Sequence, residues 1–543
     1  MNYDNDGVFI RAYCAETVEG RYPAALANSV HFAWSENGRD FQPFHRNYGM
    51  LFIEGRITES NTIRSLGVCD PQLVVLDNGE YGILACPVDN EPGRYEPVQG
   101  LQYWTTRDFI DFEDHGLIDA ADVLAARSNT VRVDRTIFAR MRLHWDPIEH
   151  VSTRVPERIT AACADDVAAV WATACYSDGS TARKRVQWDT SKVNFSVPGE
   201  YPVIGGIEDR RYPFPLAEGY GDPVIFPWKG KYYFLGTNDN LDDIGIYIRE
   251  ADTPEELFAP DVEQHLILPY DESRGLIQTF WAPEFHVIGG EAYILFAVGG
   301  RQWAPQCHVM RLKSGRSLID PNSWEDPVPV CRRNGGPLAP NAISLDMTYV
   351  ESGSTGYMVW SYREHIGQPL DTGSMLYIAT VDKREPWRLT SEPVLLSRPL
   401  LGWENVAGTI NNEGPNSFIA DGTIYLTYSG GDACGYTYAL GLLTAKVGDD
   451  LTNIGNWKKH NTPVLTFRSI DGVYGPGHNA FFVDPEGNLM ISYHGETAID
   501  SRLRCDGIHR VHCGVDGVPV FDLAPTRDLS PLLRTVSSTV SVR

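Results

Sequence analysis

The sequence predicts an all-β protein organised around a five-bladed β-propeller. A polar motif recurs at residues 222, 284, 346, 413 and 478, and a repeat of about 60 residues indicates a propeller or a solenoid. Each repeat holds an apolar strand pattern, a turn, a Tyr-rich strand pattern and a third strand, which together make up a propeller blade. The 50 glycines, 35 prolines and 11% aromatic residues are typical of β-rich folds with many turns.

Each repeat opens with a short motif, which we call its head. The heads are Gly221-Asp222-Pro223, Trp281-Ala282-Pro283-Glu284, Ser344-Leu345-Asp346-Met347, Glu413-Gly414-Pro415 and Gly475-Pro476-Gly477-His478. The first strand of every propeller blade begins at the central channel, so heads that are distant in sequence converge on one pocket. Three heads carry an acidic side chain in a comparable position, namely Asp222, Asp346 and Glu413.

The residues before the repeat predict two smaller β regions. Residues 1–120 resemble a partial, degenerate set of blades, in which Cys69-Asp70-Pro71 mimics a head. Residues 121–205 contain a possible short helix at Ala121 to Arg127 and then short alternating strands, which suggest an immunoglobulin-like β-sandwich. We therefore expect domains at 1–120, 121–205 and 206–530, followed by a C-terminal tail at 531–543.

Charge and composition exclude several classes of partner. The chain is 43% hydrophobic and 22% charged, as expected for globular domains. Its formal net charge of -25 repels phosphate backbones, so nucleic acid is not an expected partner. Neutral substrates such as carbohydrates fit this surface better.

The N-terminus and the cysteines predict a cytoplasmic protein that does not bind membranes. Met1 to Asp6 contain neither a basic nor an apolar signal region, and no apolar run approaches the length of a membrane span. The ten cysteines lack zinc-ligand spacing. We expect free thiols, with Cys163/Cys175 and Cys505/Cys513 as the alternative disulfide pairs.

Three carboxylates that converge in one pocket have the groups that glycoside hydrolysis requires. Like charges raise the cost of ionising each group, so their pKa values separate. One carboxyl must stay protonated as the general acid while another stays ionised as the general base. The sequence therefore favours a glycosidase whose catalytic residues are Asp222, Asp346 and Glu413.

Taken in order, the motifs resemble glycoside hydrolase family 43 over residues 206–525. They are Asp222-Pro223 followed by Lys231-Tyr232-Tyr233, Trp281-Ala282-Pro283-Glu284-Phe285-His286, Leu345-Asp346, Glu413-Gly414-Pro415 and Gly475-Pro476-Gly477-His478-Asn479. The resemblance implies a five-bladed propeller as the catalytic domain and hydrolysis with inversion. For inversion, the carboxyl groups of base and acid lie roughly 6.5–9.5 Å apart.

The resemblance also implies residue roles. Asp222 would be the general base, Glu413 the general acid, and Asp346 the residue that orients the acid and tunes its pKa. His478 matches a channel histidine, which in some family members contacts a calcium ion through water; otherwise no cofactor is expected. Arg504 matches an arginine that reaches the sugar-binding subsite.

Several residues keep a second interpretation. Glu404 is the rival of Glu413 for the role of acid, and Glu284 either supports the structure or binds a sugar hydroxyl. The aromatic residues near the heads either stack on sugars or pack between blades; these are Phe280, Trp281, Trp303 and Trp360.

The resemblance implies the activity of an inverting exo-glycosidase acting on arabinose- or xylose-containing oligosaccharides. An α-L-arabinofuranosidase is the first expectation. A β-D-xylosidase or β-galactosidase of the same family is the alternative, as is a non-catalytic carbohydrate-binding propeller. A glycoside phosphorylase would require a cluster of Arg and His that the sequence does not locate.

Overall fold

The protein is all-β, as the sequence predicts. A computed structural model describes residues 7–91, 93–122, 126–207 and 212–543. The α-helices in this part of the chain are short and are Ala24–Ala27, Arg135–Trp145, Ala164–Ala168 and Pro525–Asp528. None of the helices that the structure describes has the length and apolar character needed to cross a bilayer. The chain forms two compact units, one of residues up to Asp146 together with Phe214–Ile508, the other of Pro147–Pro213 together with His509–Arg543.

The first unit contains five consecutive sheets, which we call repeat sheets 1 to 5. Sheet 1 is Tyr220–Trp228, Lys231–Asn238, Ile246–Ala251 and His265–Leu268; sheet 2 is Gln278–Ile288, Glu291–Gly299, Gln306–Arg311 and Val328–Pro329. Sheet 3 is Ile343–Ser352, Thr355–Arg363, Met375–Asp382 and Glu385–Leu389, with Val394–Ser397 paired to its third strand. Sheet 4 is Asn412–Ala420, Thr423–Gly430, Ala439–Lys446 and Lys458–Lys459; sheet 5 is Tyr474–Val483, Leu489–Glu496 and Cys505–Arg510.

The first strands of the repeat sheets form a closed ring of contacts. Each first strand lies against that of the next sheet, and the first strand of sheet 5 lies against that of sheet 1. Apolar side chains fill the spaces between neighbouring sheets, for example Leu235, Ile248 and Phe296 between sheets 1 and 2. Burial between sheets therefore holds the beginnings of five strands around one axis.

Every first strand carries a β-bulge at its head. Pairing with the second strand shifts register after Gly221, Trp281, Leu345, Glu413 and Gly477. The residue directly after each of these five has a positive φ; these residues are Asp222, Ala282, Asp346, Gly414 and His478. Bulges redirect side chains and are common beside active sites. In this alignment Asp222 and Asp346 are equivalent, but Glu413 lies one residue earlier, which differs from the comparable positions expected from the sequence.

The N-terminal segment, residues 7–146, forms two further sheets within the first unit. One contains Thr130–Val133, Val8–Tyr13, His31–Ser35 and Gln42–Pro43; the other contains Leu66–Val75, Tyr81–Asp89, Leu101–Thr106 and Glu113–Ile118. A small hairpin, Arg56–Ile57 and Ile63–Arg64, lies between them in sequence. The second sheet has the same bulge, with a register shift after Cys69 and a positive φ at Asp70. Its likeness to a repeat sheet follows from that shared bulge.

The second unit differs from the expected domain boundaries at both ends. Residues 130–145 pair and pack with the N-terminal segment, in the first unit. The segment expected to be a tail, 531–543, contains the strand Thr535–Val542, which pairs with Gly199–Ile207 and Arg158–Thr160. Val536, Val540 and Val542 alternate with polar residues, and their burial in this unit's core explains why the segment is a strand. Of the short helix expected at Ala121 to Arg127, residues 123–125 lie outside the described residues, and Ala120–Asp122 form a single 3-10 turn.

The remaining strands of the second unit are short. They are His150–Arg154, Ala172–Tyr176, Thr181–Lys184, Val186–Trp188, His512–Cys513 and Pro519–Val520. All ten cysteines lie in the described part of the chain, and Cys163, Cys175 and Cys505 are free thiols there, not members of the alternative disulfide pairs.

Candidate active site

The heads bring three carboxyl groups and one imidazole together at the start of the first strands. His478 Nδ1 lies 2.9 Å from Asp222 Oδ1. The Gly414 N–H, next to Glu413, donates to Asp346 Oδ2 at 3.1 Å. Because the charges of Asp222, Asp346 and Glu413 all act on His478, the four side chains form one electrostatic cluster.

Asp222 is buried but is surrounded by cations and donors. Its Oδ1 contacts His478 and Arg504 Nη1, the latter at 3.1 Å, and its Oδ2 accepts from the Thr237 hydroxyl. Burial opposes ionisation of Asp222, but the charges of His478 and Arg504 outweigh it and hold the pKa well below its ordinary value. Asp222 is therefore a carboxylate throughout the neutral range.

Glu413 has the opposite environment. The Tyr438 hydroxyl donates to its Oε1 at 2.9 Å. Burial and then the charge of Asp346 raise the pKa of Glu413 to about 8. Glu413 is therefore protonated at neutral pH.

Asp346 lies between the two. It accepts from the Ser361 hydroxyl and from the Gly414 N–H, each at 3.1 Å. Burial raises the pKa of Asp346 to about 6, against the opposing effect of His478. Asp346 is thus an anion at pH 7, and that charge helps keep the proton on Glu413.

His478 is the positive centre of the cluster and does not fit direct binding of a metal ion. Burial disfavours the imidazolium, yet Asp222 and Asp346 outweigh it and raise the pKa of His478 to about 9. A protonated imidazole has no lone pair for a cation. The described residues also contain no group of three or more His, Cys, Asp or Glu side chains suited to a metal ion. The side chains around His478 therefore do not match a directly ligated calcium.

Arg504 is held by two carboxylates. Its Nε donates to Asp239 Oδ2 at 2.9 Å, and its Nη2 also contacts that carboxylate, while Nη1 reaches Asp222. The Arg504 side chain is only 12% exposed. Arg504 thus lies beside Asp222, and its contacts fix the orientation of that carboxylate.

The two rival carboxylates are both engaged elsewhere. Glu404 is fully buried, 2.7 Å from Lys459 Nζ, and accepts from the Tyr428 hydroxyl and the Leu401 N–H. Glu284 is also buried, with one oxygen bound by Asn416 and the other 2.7 Å from His286 Nε2. Neither carboxylate belongs to the cluster around His478.

The four aromatic candidates separate into two pairs. Phe280 and Trp360 are almost completely buried and pack in the core. Trp281 and Trp303 make an edge contact with ring centroids 6.2 Å apart, and Trp303 is 43% exposed. Trp281 Nε1 donates to Asp243 Oδ2 at 2.8 Å. Only this second pair can offer a surface to a sugar.

Sequence reasoning missed the groups that hold the cluster; they are Thr237, Asp239, Tyr438 and His494. The Asp222 N–H donates to His494 Nδ1 at 3.1 Å, so that the proton of this imidazole is on Nε2, which faces the Ala433 carbonyl at 3.1 Å. Burial accordingly lowers the pKa of His494. All four lie within two residues of the end of a second strand or immediately before a third strand. This recurring placement was a signal in the sequence that could have identified them.

Comparison with known proteins finds similarity in the part of the chain that contains this cluster. The model of the family described as Glycosyl hydrolases family 43 matches residues 215–519. An extracellular exo-alpha-(1->5)-L-arabinofuranosidase of Streptomyces avermitilis is 32% identical over 332 residues, covering 59% of this chain and 64% of that enzyme. The enzyme of the same name from Streptomyces chartreusis is 33% identical, covering 54% of this chain and 85% of its own length. Alpha-L-arabinofuranosidase B of Pyricularia oryzae is 28% identical, covering 57% of this chain and 62% of that enzyme.

Two of these names contradict the expected cytoplasmic location. Both Streptomyces relatives are extracellular enzymes. The expectation rested on the composition of the first six residues, and that composition does not determine where a protein acts. The chain spans under two thirds of the length of the Streptomyces avermitilis enzyme.

The matched range is more than half of the chain and contains the whole cluster described above. The alignment with the Streptomyces chartreusis enzyme exceeds 30% identity over most of that enzyme. The chain therefore belongs to family 43 of the glycosyl hydrolases.

Proposed function

We propose that the protein is an inverting exo-acting α-L-arabinofuranosidase. The observation that carries the proposal is the opposite protonation of two carboxyl groups in one cluster. Asp222 is held as an anion by His478 and Arg504, whereas Glu413 keeps its proton to about pH 8. An inverting glycosidase needs this division between base and acid.

In the proposed reaction, Asp222 takes a proton from a water molecule as that water attacks the anomeric carbon. Glu413 donates its proton to the glycosidic oxygen, and the bond between that oxygen and the anomeric carbon breaks on the opposite face. The products are an alcohol and a sugar of inverted configuration. Asp222 then loses its proton to solvent and Glu413 regains one, which restores both groups. The predicted separation of these carboxyl groups, roughly 6.5–9.5 Å, leaves room for the water.

We assign a positioning role to Asp346. It accepts from the Gly414 N–H, so it fixes the backbone beside Glu413. Its negative charge is also the second cause of the raised pKa of Glu413. Removing that charge would release the proton of Glu413 at lower pH.

Substrate contacts are proposed for His478, Arg504 and Trp281. His478 and Arg504 both touch Asp222, so a sugar beside the base lies within their reach. Trp281 supports Trp303 at an exposed surface. Glu284 is left out, because both of its oxygens are already bound.

Names of relatives support the choice of sugar. Three relatives are named as arabinofuranosidases, and two of them as exo-acting on α-(1→5) linkages. Arabinose-containing oligosaccharides are therefore the proposed substrates. We propose that no metal ion is required, so a chelator leaves the rate unchanged.

At the level of the fold, we propose that repeat sheets 1 to 5 are the five blades of a propeller. The closed ring of first strands supports this proposal. The N-terminal segment is proposed to be blade-like on the basis of the bulge at Asp70. The second unit is proposed to be a small immunoglobulin-like sandwich, in which the C-terminal strand Thr535–Val542 takes part.

The test compares aryl α-L-arabinofuranoside, aryl β-D-xyloside and aryl β-D-galactoside as substrates, with NMR identification of the first-formed anomer. We expect turnover of the arabinofuranoside and a β-configured initial product. Glu413→Gln should lower kcat by about 10²–10⁴-fold for a poor leaving group and far less for dinitrophenol, because only the former needs protonation. Glu404→Gln is the matched control for the acid role. Retention of configuration, or binding of oligosaccharides without turnover of any of the three, would disprove the proposal.

A further inference from the structure

The N-terminal segment lies outside the range matched by the family, yet it contacts two loops that lead into the active site. The first loop, residues 398–411, precedes the strand that carries Glu413; here the Gly55 N–H donates to the Leu400 carbonyl at 2.7 Å. The second loop, residues 460–473, precedes the strand that carries His478. Asn461 in this loop exchanges two hydrogen bonds with the backbone of Phe52. The segment is therefore fixed to the approaches of repeat sheets 4 and 5.

A second attachment encloses Arg468. Its Nη1 donates to the Arg46 carbonyl at 3.1 Å and also to the Asn47 carbonyl. The guanidinium lies 4.1 Å from the centroid of the Tyr22 ring. His45, Arg46 and Asn47 all have positive φ, between 49° and 59°. Such backbone is strained in residues other than glycine and persists only where the surroundings hold it, often at functional positions.

A series of aromatic contacts continues from the N-terminal segment toward the acid. The Phe467 ring contacts Tyr22 and Tyr48, with centroids 6.4 and 6.1 Å apart. On its other side Phe467 makes an edge contact with Tyr436, at 5.5 Å. Tyr436 is half-buried and keeps part of its surface open to solvent.

Tyr436 belongs to the turn that borders Glu413. The turn, residues 431–438, ends at Tyr438, whose hydroxyl donates to Glu413. The Tyr436 carbonyl accepts from the Gly475 N–H at 2.9 Å, and this fixes the turn to the head of repeat sheet 5. In inversion the acid lies on the side of the departing sugar, away from the water held by the base. The departing sugar therefore leaves past the residues beside Glu413.

We propose that Tyr436 is the stacking platform for the sugar on the leaving-group side, and that the N-terminal segment positions it through Phe467 and Arg468. This inference rests on the proposed function and extends it to a specificity-determining site. The ligand class is a pentofuranosyl or pentopyranosyl unit that presents an apolar face to the ring. Phe467 and Arg468 are positioning residues, because they act on the sugar through Tyr436.

The experiment compares two substrates that differ only in whether a sugar leaves. Methyl α-L-arabinofuranoside has no leaving sugar, whereas α-1,5-linked arabinobiose does. We expect Tyr436→Ala to lower kcat/KM for arabinobiose about 3- to 10-fold, the loss expected for one aromatic contact, with little change for the methyl glycoside. Tyr436→Phe should restore the ratio of kcat/KM for arabinobiose to kcat/KM for the methyl glycoside, since it keeps the ring. Arg468→Lys should lower the same ratio in a protein that stays folded, as circular dichroism would report.

Tyr270→Ala is the matched control, since this ring is 49% exposed on the loop before repeat sheet 2 and has no part in the aromatic series. Equal loss on both substrates in Tyr436→Ala, or no loss on either, would overturn the inference while leaving the proposed activity intact. If the unmodified protein hydrolyses only xylosides, the proposed sugar is wrong, and the same ratio measured with methyl β-D-xyloside and xylobiose decides the role of Tyr436. Hydrolysis of none of the four substrates would overturn both proposals.

Discussion

Asp222 and Glu413 show how neighbouring residues set opposite protonation states in two buried carboxyl groups. Two cations touch the Asp222 carboxylate. A hydroxyl touches Glu413, and the charge with the largest effect on its pKa, that of Asp346, is negative. Burial is common to both groups, so the sign of the neighbouring charge decides which one keeps its proton.

The pH dependence of kcat/KM follows from these pKa values. Activity requires protonated Glu413, so the rate falls as pH rises through about 8. It also requires Asp346 as an anion, so the rate falls as pH drops through about 6. We expect a bell-shaped profile with its maximum near pH 7, in which the two limbs belong to the coupled pair and not to either residue alone.

The Glu413→Gln variant separates the limbs, because it removes the group that must stay protonated. With a dinitrophenyl substrate, which needs no acid, the alkaline limb should disappear, whereas the acid limb should stay near pH 6, because Glu413 is already neutral there. An alkaline limb that survives unchanged would assign it to another group and would contradict the role given to Glu413.

At the scale of residues, the sequence identified the members of the cluster. It did not show that the competing carboxylates, Glu404 and Glu284, are engaged in other contacts. Asp222, Asp346, Glu413 and His478 could be found because each belongs to a head, the motif that opens each repeat. The ion pair of Glu404 with Lys459 joins residues 55 positions apart, and no local pattern encodes it. The contact of Arg504 with Asp239 is likewise long-range, so its part in orienting the base required the structure.

The repeated element that positions the site is the bulge at each head. It sets the first residue after the register shift at positive φ, where Asp222, Asp346 and His478 all lie. The same element places Gly414 beside the acid at φ 55°. Because the bulge offsets Glu413 by one residue from the other two acids, the repeat period alone gave its position only approximately.

Gly414→Ala tests the packing of this element. A Cβ on Gly414 would lie 2.8 Å from the ring of His478, so the imidazole that stabilises Asp222 must move. We expect kcat to fall at least about 10-fold, given the sensitivity of such sites to displacements near 1 Å. The alkaline limb of the pH profile should also shift.

Gly422→Ala provides the control in the same sheet. Gly422 also has a positive φ of 71°, but no atom lies within 4 Å of the position of its Cβ. It should lose about 1–2 kcal/mol of stability from backbone strain and keep its kcat. Similar kinetics for the two variants would show that contact with His478 is unimportant.

At the scale of the whole molecule, residues far apart in sequence complete each compact unit. The strand Thr535–Val542 pairs with Gly199–Ile207, more than 300 residues earlier. Its alternation of Val with Ser and Thr predicts a half-buried strand. The sequence gives no indication of its partner, since pairing over such a separation depends on the fold of the entire chain. This explains why 531–543 was expected to be a tail.

Val540→Ala should destabilise the second unit and leave catalysis unchanged. Val540 is fully buried in the core that this strand shares with Ile159 and Val203. Loss of its methyl groups should lower the free energy of unfolding by about 2 kcal/mol, measured by urea denaturation. Ser537→Ala, on the exposed side of the same strand, should change that free energy by under about 0.5 kcal/mol. The cluster around His478 belongs to the other unit, so kcat/KM under native conditions should equal that of the unmodified protein for both variants. A loss of activity in Val540→Ala that precedes its unfolding transition would contradict this expectation.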